Sequence, residues 1–529
     1  MPVWPKSIYT FGVSLGTAAT EWKLRQKRSA VPQQERVFRG LMGQLAQAGY
    51  WRSAGVESGL TYPAFQSRVV PRTAAQLAPA IERMQAGEPD VLWPGACTLF
   101  LVTPGTTNGT PNTIPVTEPL LAHYRRAAMD TLLFYTVRAR HAGVFRGRHL
   151  WLGSSSVVKP LAAASASPAY AVEATGLAGL AMPAWMEKHL YEPGTAIGQI
   201  EDWSSRLDAI VARSCRLDIS MLAAFPRWAM LLARMLREKC ATPTRPIRHL
   251  QELWPNLECY LHSGVPVGPF YDELRELLGP KVRFHELYAA NEAFIAAQDG
   301  EPAAGLRVLA DAGVFLEFLP IAEFDEARLD QLGPRLLPLG GIRTGTDYAI
   351  FVTTPGGLVR YPLGDVVRFI SAVPPRLVYV GRTSLRLHAF GENVQEKEVT
   401  DALVAVCQRH KWTIVNFHVA PLFAANLTGS IRGRHEWWVE LNAGTVKTPR
   451  GPQLAEELDQ EIQRLNPGYA TKRRTAMMEP PFVRLVMPGV FQHWLQYRGR
   501  WGGQHKTPRC RSDRRVADDL AQITNFARD

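Results

Sequence analysis

Apolar positions along the chain switch between two periods. In residues 206–213, Leu207, Ile210 and Val211 fall at helical spacing, and in residues 227–237 so do Trp228, Leu231, Leu232, Met235 and Leu236. Residues 80–84 belong to another helix, with Pro79 expected in its first turn. Between such stripes lie short β-type runs: 282–284, 348–353 (YAIFVT) and 377–380. Pro355-Gly356-Gly357 reads as a turn after 348–353, with 358–361 as the hairpin partner. This alternation predicts an α/β core, and the stripes themselves are core packing.

From about residue 387 the pattern restarts as a small α+β unit. It has a helix carrying Val399, Leu403 and Val406, strands at 413–419 and 436–441, and a helix with Leu454, Leu458, Ile462 and Leu465 that stops at Asn466-Pro467-Gly468. The expected division is a large N-terminal domain, 1–383, and a small C-terminal domain, 384–529. No internal repeat is present, and the one biased stretch is Ala-rich, 161–181.

Composition narrows the class. With 46% apolar and 20% charged residues over 529 positions, the chain is an ordinary globular protein of more than one domain. No apolar run reaches the ~18 to 20 residues that span a bilayer, so no membrane partner is expected. IYTFGVSLGTAAT behind Lys6 has a faint signal-peptide look, but Thr, Ser and Gly dilute its apolar centre, and a cytoplasmic protein is expected. Six scattered cysteines with no C-x-x-C pair argue against a zinc site and a disulfide framework. The net charge of +12 suits an anionic substrate. Its cations are spread without a recognition module, so nucleic acid is not expected as a partner.

The candidate chemistry begins at TPGTTNGTPN, residues 103–112, behind the apolar run 98–102. Gly105 and Gly109 let backbone approach a ligand, while Thr103, Thr106 and Thr107 add hydroxyl donors, which suits phosphate oxygens. The Gly-Lys-Ser/Thr ending of a Walker loop is missing, and alone the stretch reads rather as a plain Gly/Pro/Asn turn. Further on, Tyr288 offers a ring to stack on a purine and Glu292, beyond Asn291, a carboxylate for Mg²⁺. Asp365, expected just after a strand and a Gly turn, suits two ribose hydroxyls. Gly381-Arg382 and 390–394 (FGENV) mark the domain boundary, and 502–509 (GGQHKTPR) is a late basic loop. Singly, Glu292 reads as a surface carboxylate, Asp365 as a turn cap, Arg382 as an ion-pair partner and Lys506 as one cation in a basic tail.

Taken in order, these elements resemble the acyl-adenylate-forming superfamily, and within it the auxin-responsive Gretchen Hagen family of acyl-acid amido synthetases. Supporting phrases are 92–95 (LWPG), 262–265 (HSGV), 313–320 (GVFLEFLP), 357–361 (GLVRY) and 504–509 (QHKTPR). The Ala/Arg/Leu-rich composition and compact length look like those of a bacterial member. The resemblance implies a large domain of helix-flanked sheets with a β-barrel-like part and a mobile small domain. It implies ATP and Mg²⁺ as cofactors, and a carboxylic acid and an amine, an amino acid, as substrates. It makes Thr103, Gly105, Thr106, Thr107, Gly109, Ser263, Gly264, Tyr288, Asn291, Asp365 and Arg382 nucleotide-binding, and Glu292 a metal ligand. It also makes Lys506 the cation that swings over the nucleotide on the small domain. A coenzyme A ligase on the same fold and a catalytically silent binding module are the alternatives. Pro104, Asn112, Asn291, Ser384 and His388 depart from the family's usual residues at their positions.

Overall fold

In the computed structural model the described residues are 6–26, 29–103, 112–161, 168–242, 244, 246–264, 266–392, 394–423, 433–442, 449–498 and 507–526. The chain forms two compact units, one of Met1–Val265 and Leu274–Val378, the other of Pro266–Glu273 and Tyr379–Asp529. The division therefore passes through the strand Pro375–Arg382, a few residues before the position expected from the sequence, and adds a short loop from mid-chain to the second unit.

The first unit is built on a long sheet. Among the described residues its strand order is Leu337–Pro338, Phe315–Pro320, Asp347–Thr353, Tyr361–Ala372, Pro375–Arg382, Leu306–Val308, Phe294–Gln298, Arg283–Ala289, Cys259–His262, Ile219–Ala224, Arg148–Leu152 and Tyr191–Glu192. This order is linear rather than closed. The last five strands are mutually parallel. Ile219–Ala224 and Cys259–His262 are buried at every position, as parallel strands covered on both faces must be. A second, four-stranded sheet pairs Leu99–Thr103 with Asn112–Pro115 antiparallel, Thr103 opposite Asn112.

Helices follow the expected stripes. Trp203–Ser214 starts where the Asp202 side chain accepts the Ser205 N–H at 2.7 Å, and it buries Leu207, Ile210 and Val211. Pro226–Cys240 buries Leu232 and Leu236. Two expectations need correction. Pro79 lies in the interior of Ala74–Gln85 rather than its first turn, because the helix begins earlier, at a Thr73–Gln76 capping box. The hairpin partner of Asp347–Thr353 is Tyr361–Ala372, not 358–361: the Thr354 N–H donates to Leu358 O at 2.8 Å, so the turn extends through 358. The cysteine reading is also corrected. Cys215 and Cys240, at the ends of two neighbouring helices, form a disulfide, while Cys97, Cys259, Cys407 and Cys510 are free and buried.

The second unit carries Glu396–His410 and Gly451–Leu465 against a sheet ordered Ile414–Phe423, Gly433–Leu441, Phe482–Val486. Val399, Leu403, Val406, Leu454, Leu458 and Ile462 meet Phe417, Val419 and Trp437 in its core. Asn466 both ends Gly451–Leu465 and caps Pro467–Arg474, accepting the Tyr469 N–H at 2.7 Å.

Candidate active site

The carboxyl ends of two parallel strands gather five of the described candidate residues of the first unit. Open α/β sheets bind ligands along this edge, where chain leaves the strands without pairing. Cys259–His262 runs out into Ser263, half-buried, and Gly264, exposed. Arg283–Ala289 carries Tyr288 near its end and turns through Ala290 to Ala293 into the antiparallel Phe294–Gln298. Asn291 and Glu292 are the tip of that turn, both half-buried.

Asp365 arrives from the neighbouring part of the sheet by a different device than expected. It does not follow a strand; it lies inside Tyr361–Ala372. The register against Asp347–Thr353 is Ala349 with Val366 but Phe351 with Pro362, so two extra residues are accommodated in the longer strand around 363–365. Gly364 takes φ +73°, which a glycine adopts without strain, and the bulge re-aims its neighbour. The result joins two motifs 77 residues apart: Tyr288 Oη donates to Asp365 Oδ2 at 2.8 Å. The tyrosine ring is buried and the acid half-buried.

Two residues that sequence reasoning missed hold the Glu292 turn in place. The helix Glu118–Ala139 follows the strand Asn112–Pro115 directly, with Thr117 as its N-cap. From its first turns, buried His123 presents Nδ1 at 2.7 Å from Ala312 O, and its Nε2 accepts the Phe294 N–H at 2.9 Å. This pattern fixes the tautomer with the proton on Nδ1. Burial holds the imidazole neutral, with a pKa lowered to about 4. Next to it, Tyr124 Oη donates to Asn291 O at 2.5 Å, and burial, with the Glu292 charge adding, pushes its phenol up. One helix thus ties the base of the Thr/Gly loop to the turn that carries Glu292. No local signal reveals this, because the partners are about 170 residues apart.

The phrases 92–95, 313–320 and 357–361 also converge. A Cβ on Gly357, at φ +91°, would stand 2.5 Å from Leu92 O, so only glycine fits there. Trp51 Nε1 donates to Gly357 O at 2.9 Å. Arg360, fully buried, meets Glu317 through Nε–Oε2 at 3.1 Å and Nη2–Oε1 at 2.9 Å. It also donates to the carbonyls of Gln66, Val69 and Gly333, and Tyr62 Oη donates to Glu317 Oε1 at 3.0 Å. This knot sits immediately before the strand that bears Asp365.

In the second unit, Arg382 ends its strand and forms an isolated bridge with Leu385. Thr507 to Ser512 are stitched to Ile414–Phe423 and to the segment after Arg382. Asn416 Nδ2 donates to Thr507 Oγ1 at 3.0 Å, and Arg509 Nη1 donates to Asn416 Oδ1 at 2.9 Å. The Arg509 guanidinium lies 4.5 Å over Phe417. The Val419 N–H donates to Arg509 O at 2.9 Å, Cys510 Sγ donates to Leu385 O at 3.3 Å, and Ser512 Oγ bridges Arg386 O at 2.6 Å and the His388 N–H at 2.9 Å. Lys506, Gly105, Thr106, Thr107 and Gly109, like the departure Pro104, lie outside the described residues, as does the side chain of Thr103. Among the described residues no cluster of three or more His, Cys, Asp or Glu side chains could hold a metal by itself.

Family models match three stretches: the GH3 family N-terminal domain at residues 19–205, the central domain at 307–382 and the C-terminal domain at 397–515. Together they cover well over half of the chain. It belongs to the GH3 family. Among curated relatives, a jasmonoyl–L-amino acid synthetase, JAR4, of Nicotiana attenuata is 28% identical over 53% of this chain and 48% of its own length. A probable indole-3-acetic acid-amido synthetase, GH3.12, of Oryza sativa subsp. japonica is 27% identical over 57% of this chain and 53% of its own. The chain thus spans about half the length of these relatives. Both are plant proteins, and nothing in the matches supports the bacterial look of the composition. Of solved structures, the AtGH3.15 acyl acid amido synthetase in complex with 2,4-DB has a TM-score of 0.74 at 17% identity, covering 99% of this chain and 97% of that one. The described residues share this fold, mixed α/β sheets with a separate C-terminal domain.

Proposed function

We propose that this GH3 protein is an ATP-dependent acyl-acid amido synthetase. An oxygen of a carboxylic acid attacks the α-phosphorus of ATP and pyrophosphate leaves. The nitrogen of an amino acid then attacks the acyl carbon of the acyl-adenylate, loses a proton and displaces AMP, leaving an amide. The observation that carries this reading is the match of all three GH3 domains in order, the last reaching past Lys506 to residue 515. The names of the relatives, amino acid and acyl-acid amido synthetases, support it.

The donor set suits the nucleotide. Asp365, aimed by its bulge and partnered by Tyr288, is the ribose acceptor, and Arg382 is a further nucleotide-binding cation. Tyr288 borders the adenine. Ser263, Gly264 and Asn291 line the nucleotide from the same strand edge, and Thr103, Gly105, Thr106, Thr107 and Gly109 wrap the phosphates. Glu292 alone is too small a set for a metal, so a Mg²⁺ there would complete its shell with phosphate oxygens and water and neutralise phosphate charge. The protein's own share is orientation and charge, because phosphoryl and acyl transfer of this kind demand little bond chemistry from side chains. His123 and Tyr124 set the height of the Glu292 turn. The small domain, 384–529, turns about residues 382–387 to bring Lys506 over the α-phosphate and afterwards to admit the amine.

The test is a panel of organic acids screened by pyrophosphate release, with hydroxylamine trapping of the activated acyl group. Mass spectrometry of products formed with amino acids or with coenzyme A then follows. Acid-dependent release and an amide product are expected. A thioester as the sole product, or no acid-dependent release from any acid, refutes the reading in favour of a coenzyme A ligase or a silent relative.

A further inference from the structure

The helix Lys6–Arg25 presents two unlike faces. One packs on Glu118–Ala139: Val13 and Thr20 are buried, Thr17 Oγ1 lies 2.9 Å from Thr136 Oγ1, and Gly16 faces Leu133. On the other, Ile8, Phe11, Leu15 and Trp22 are 51%, 66%, 58% and 62% exposed. Their spacings of three, four and seven residues put all four within an arc of about 60° at 3.6 residues per turn. Lys23 and Arg25, both exposed, flank this stripe on opposite sides, and Lys27 and Arg28 follow in the sequence. The only acid of the helix, Glu21, pairs with Arg25 at 2.6 Å.

Such a stripe calls for an occupant, and charge and area select among the candidates. Four side chains of this size at these exposures offer roughly 450 to 500 Å². Two copies meeting here would bury about 1,000 Å² in total, short of the ~1,200 to 2,000 Å² of a stable pair. Each copy also carries +12, so like charges oppose the contact. An anionic lipid surface meets both demands, because its headgroups complement the cations and its acyl boundary accepts the stripe. Large apolar residues on one face with Lys and Arg at its margins are the makeup of helices that lie in the membrane interface. Spanning is a separate matter: among the described residues no helix is long and apolar enough to cross a bilayer.

We propose that the exposed face of Lys6–Arg25 docks the protein on anionic membrane surfaces, with Ile8, Phe11, Leu15 and Trp22 at the headgroup–acyl boundary and Lys23 and Arg25 among the phosphates. This revises the expectation of no membrane partner, which rested on the absence of a spanning run. The proposal is independent of the proposed adenylation chemistry, since no residue of that site lies on this helix.

The experiment is flotation of the full chain with vesicles of phosphatidylcholine and phosphatidylglycerol, 70:30, against phosphatidylcholine alone, at low and at physiological salt. The expected result is binding to the anionic vesicles stronger by about tenfold or more, weakened by salt. The double variant Phe11→Ser/Trp22→Ser should lose it, with an unchanged thermal melt, because both side chains face solvent. Lys23→Glu/Arg25→Glu should lose the preference for the anionic lipid. Absence of wild-type binding, equal binding to both vesicle types, or undiminished binding by Phe11→Ser/Trp22→Ser overturns the proposal. So does a dimer in sedimentation velocity that the same double variant dissolves, which would make a second copy the occupant.

Discussion

The buried pair of Arg360 and Glu317 allows a worked prediction. Replacing Arg360 with Met removes two bonds to the Glu317 carboxylate and three to the carbonyls of Gln66, Val69 and Gly333. It leaves a carboxylate in a fully buried position with the Tyr62 hydroxyl as its partner from this knot. Breaking one side of such a pair costs about 3 to 5 kcal/mol, a factor of roughly 10² to 10³ or more in the folding equilibrium. Glu317→Leu alone strands the guanidinium and should cost a similar amount. The double variant carries no uncompensated charge. It still leaves the carbonyls of Gln66 and Val69 without the Arg360 donor, at about 1 to 3 kcal/mol for a buried group, while Gly333 O keeps the Leu336 N–H at 3.3 Å. It should therefore recover at least about 2 kcal/mol relative to the sum of the singles. The assay is a urea-unfolding cycle followed by tryptophan fluorescence, with all four proteins measured at one pH. Additivity within about 0.5 kcal/mol refutes the coupling. Because the knot immediately precedes the strand carrying Asp365, surviving single variants should also show a raised KM for ATP.

Lys506→Ala should lower the adenylation rate by about 10²- to 10³-fold with the melt unchanged, as for a donor aimed at developing charge; a near-normal rate refutes its role. Asp365→Ala should raise KM for ATP with little change in kcat, since ribose contacts are alike in ground and transition states, and a fall in kcat alone would contradict it. His123 is held neutral by burial, with its pKa lowered from 6.5 to about 4, so its stabilising share is complete above about pH 6.5 and fades as pH falls through 4. That share falls by about 2 kcal/mol between pH 7 and pH 5, and His123→Gln should show a shallower acid limb in urea midpoints; an unchanged limb counts against it. Thiol titration of the unfolded protein without reductant should find the four free cysteines and not Cys215 or Cys240, whose bridge over 25 residues is worth about 3 kcal/mol. Six reactive thiols would refute the bridge.

Periodic elements were legible from the chain because their signal is local. The helices Trp203–Ser214, Pro226–Cys240 and Glu396–His410 show their buried stripes in the residue order itself. The Tyr288 and Asp365 motifs were legible as residue types, but their meeting was not. Asp365 depends on a bulge whose sole local trace is Gly364, which reads equally well as the turn expected there. The His123 and Tyr124 clamp is set by tertiary pairing across about 170 positions. Likewise, the periodicity of Lys6–Arg25 could not reveal which of its apolar residues face solvent, because Val13 looks no more buried in sequence than Leu15.

The stitching of residues 507–512 bears on how such an enzyme could time its two half-reactions. Cys510 and Ser512 grip the backbone of Leu385 and Arg386, so the chain directly after Lys506 travels with the linker rather than as a loose tail. Under the role proposed for Lys506, withdrawing its ammonium and exposing the acyl carbon would be one stroke.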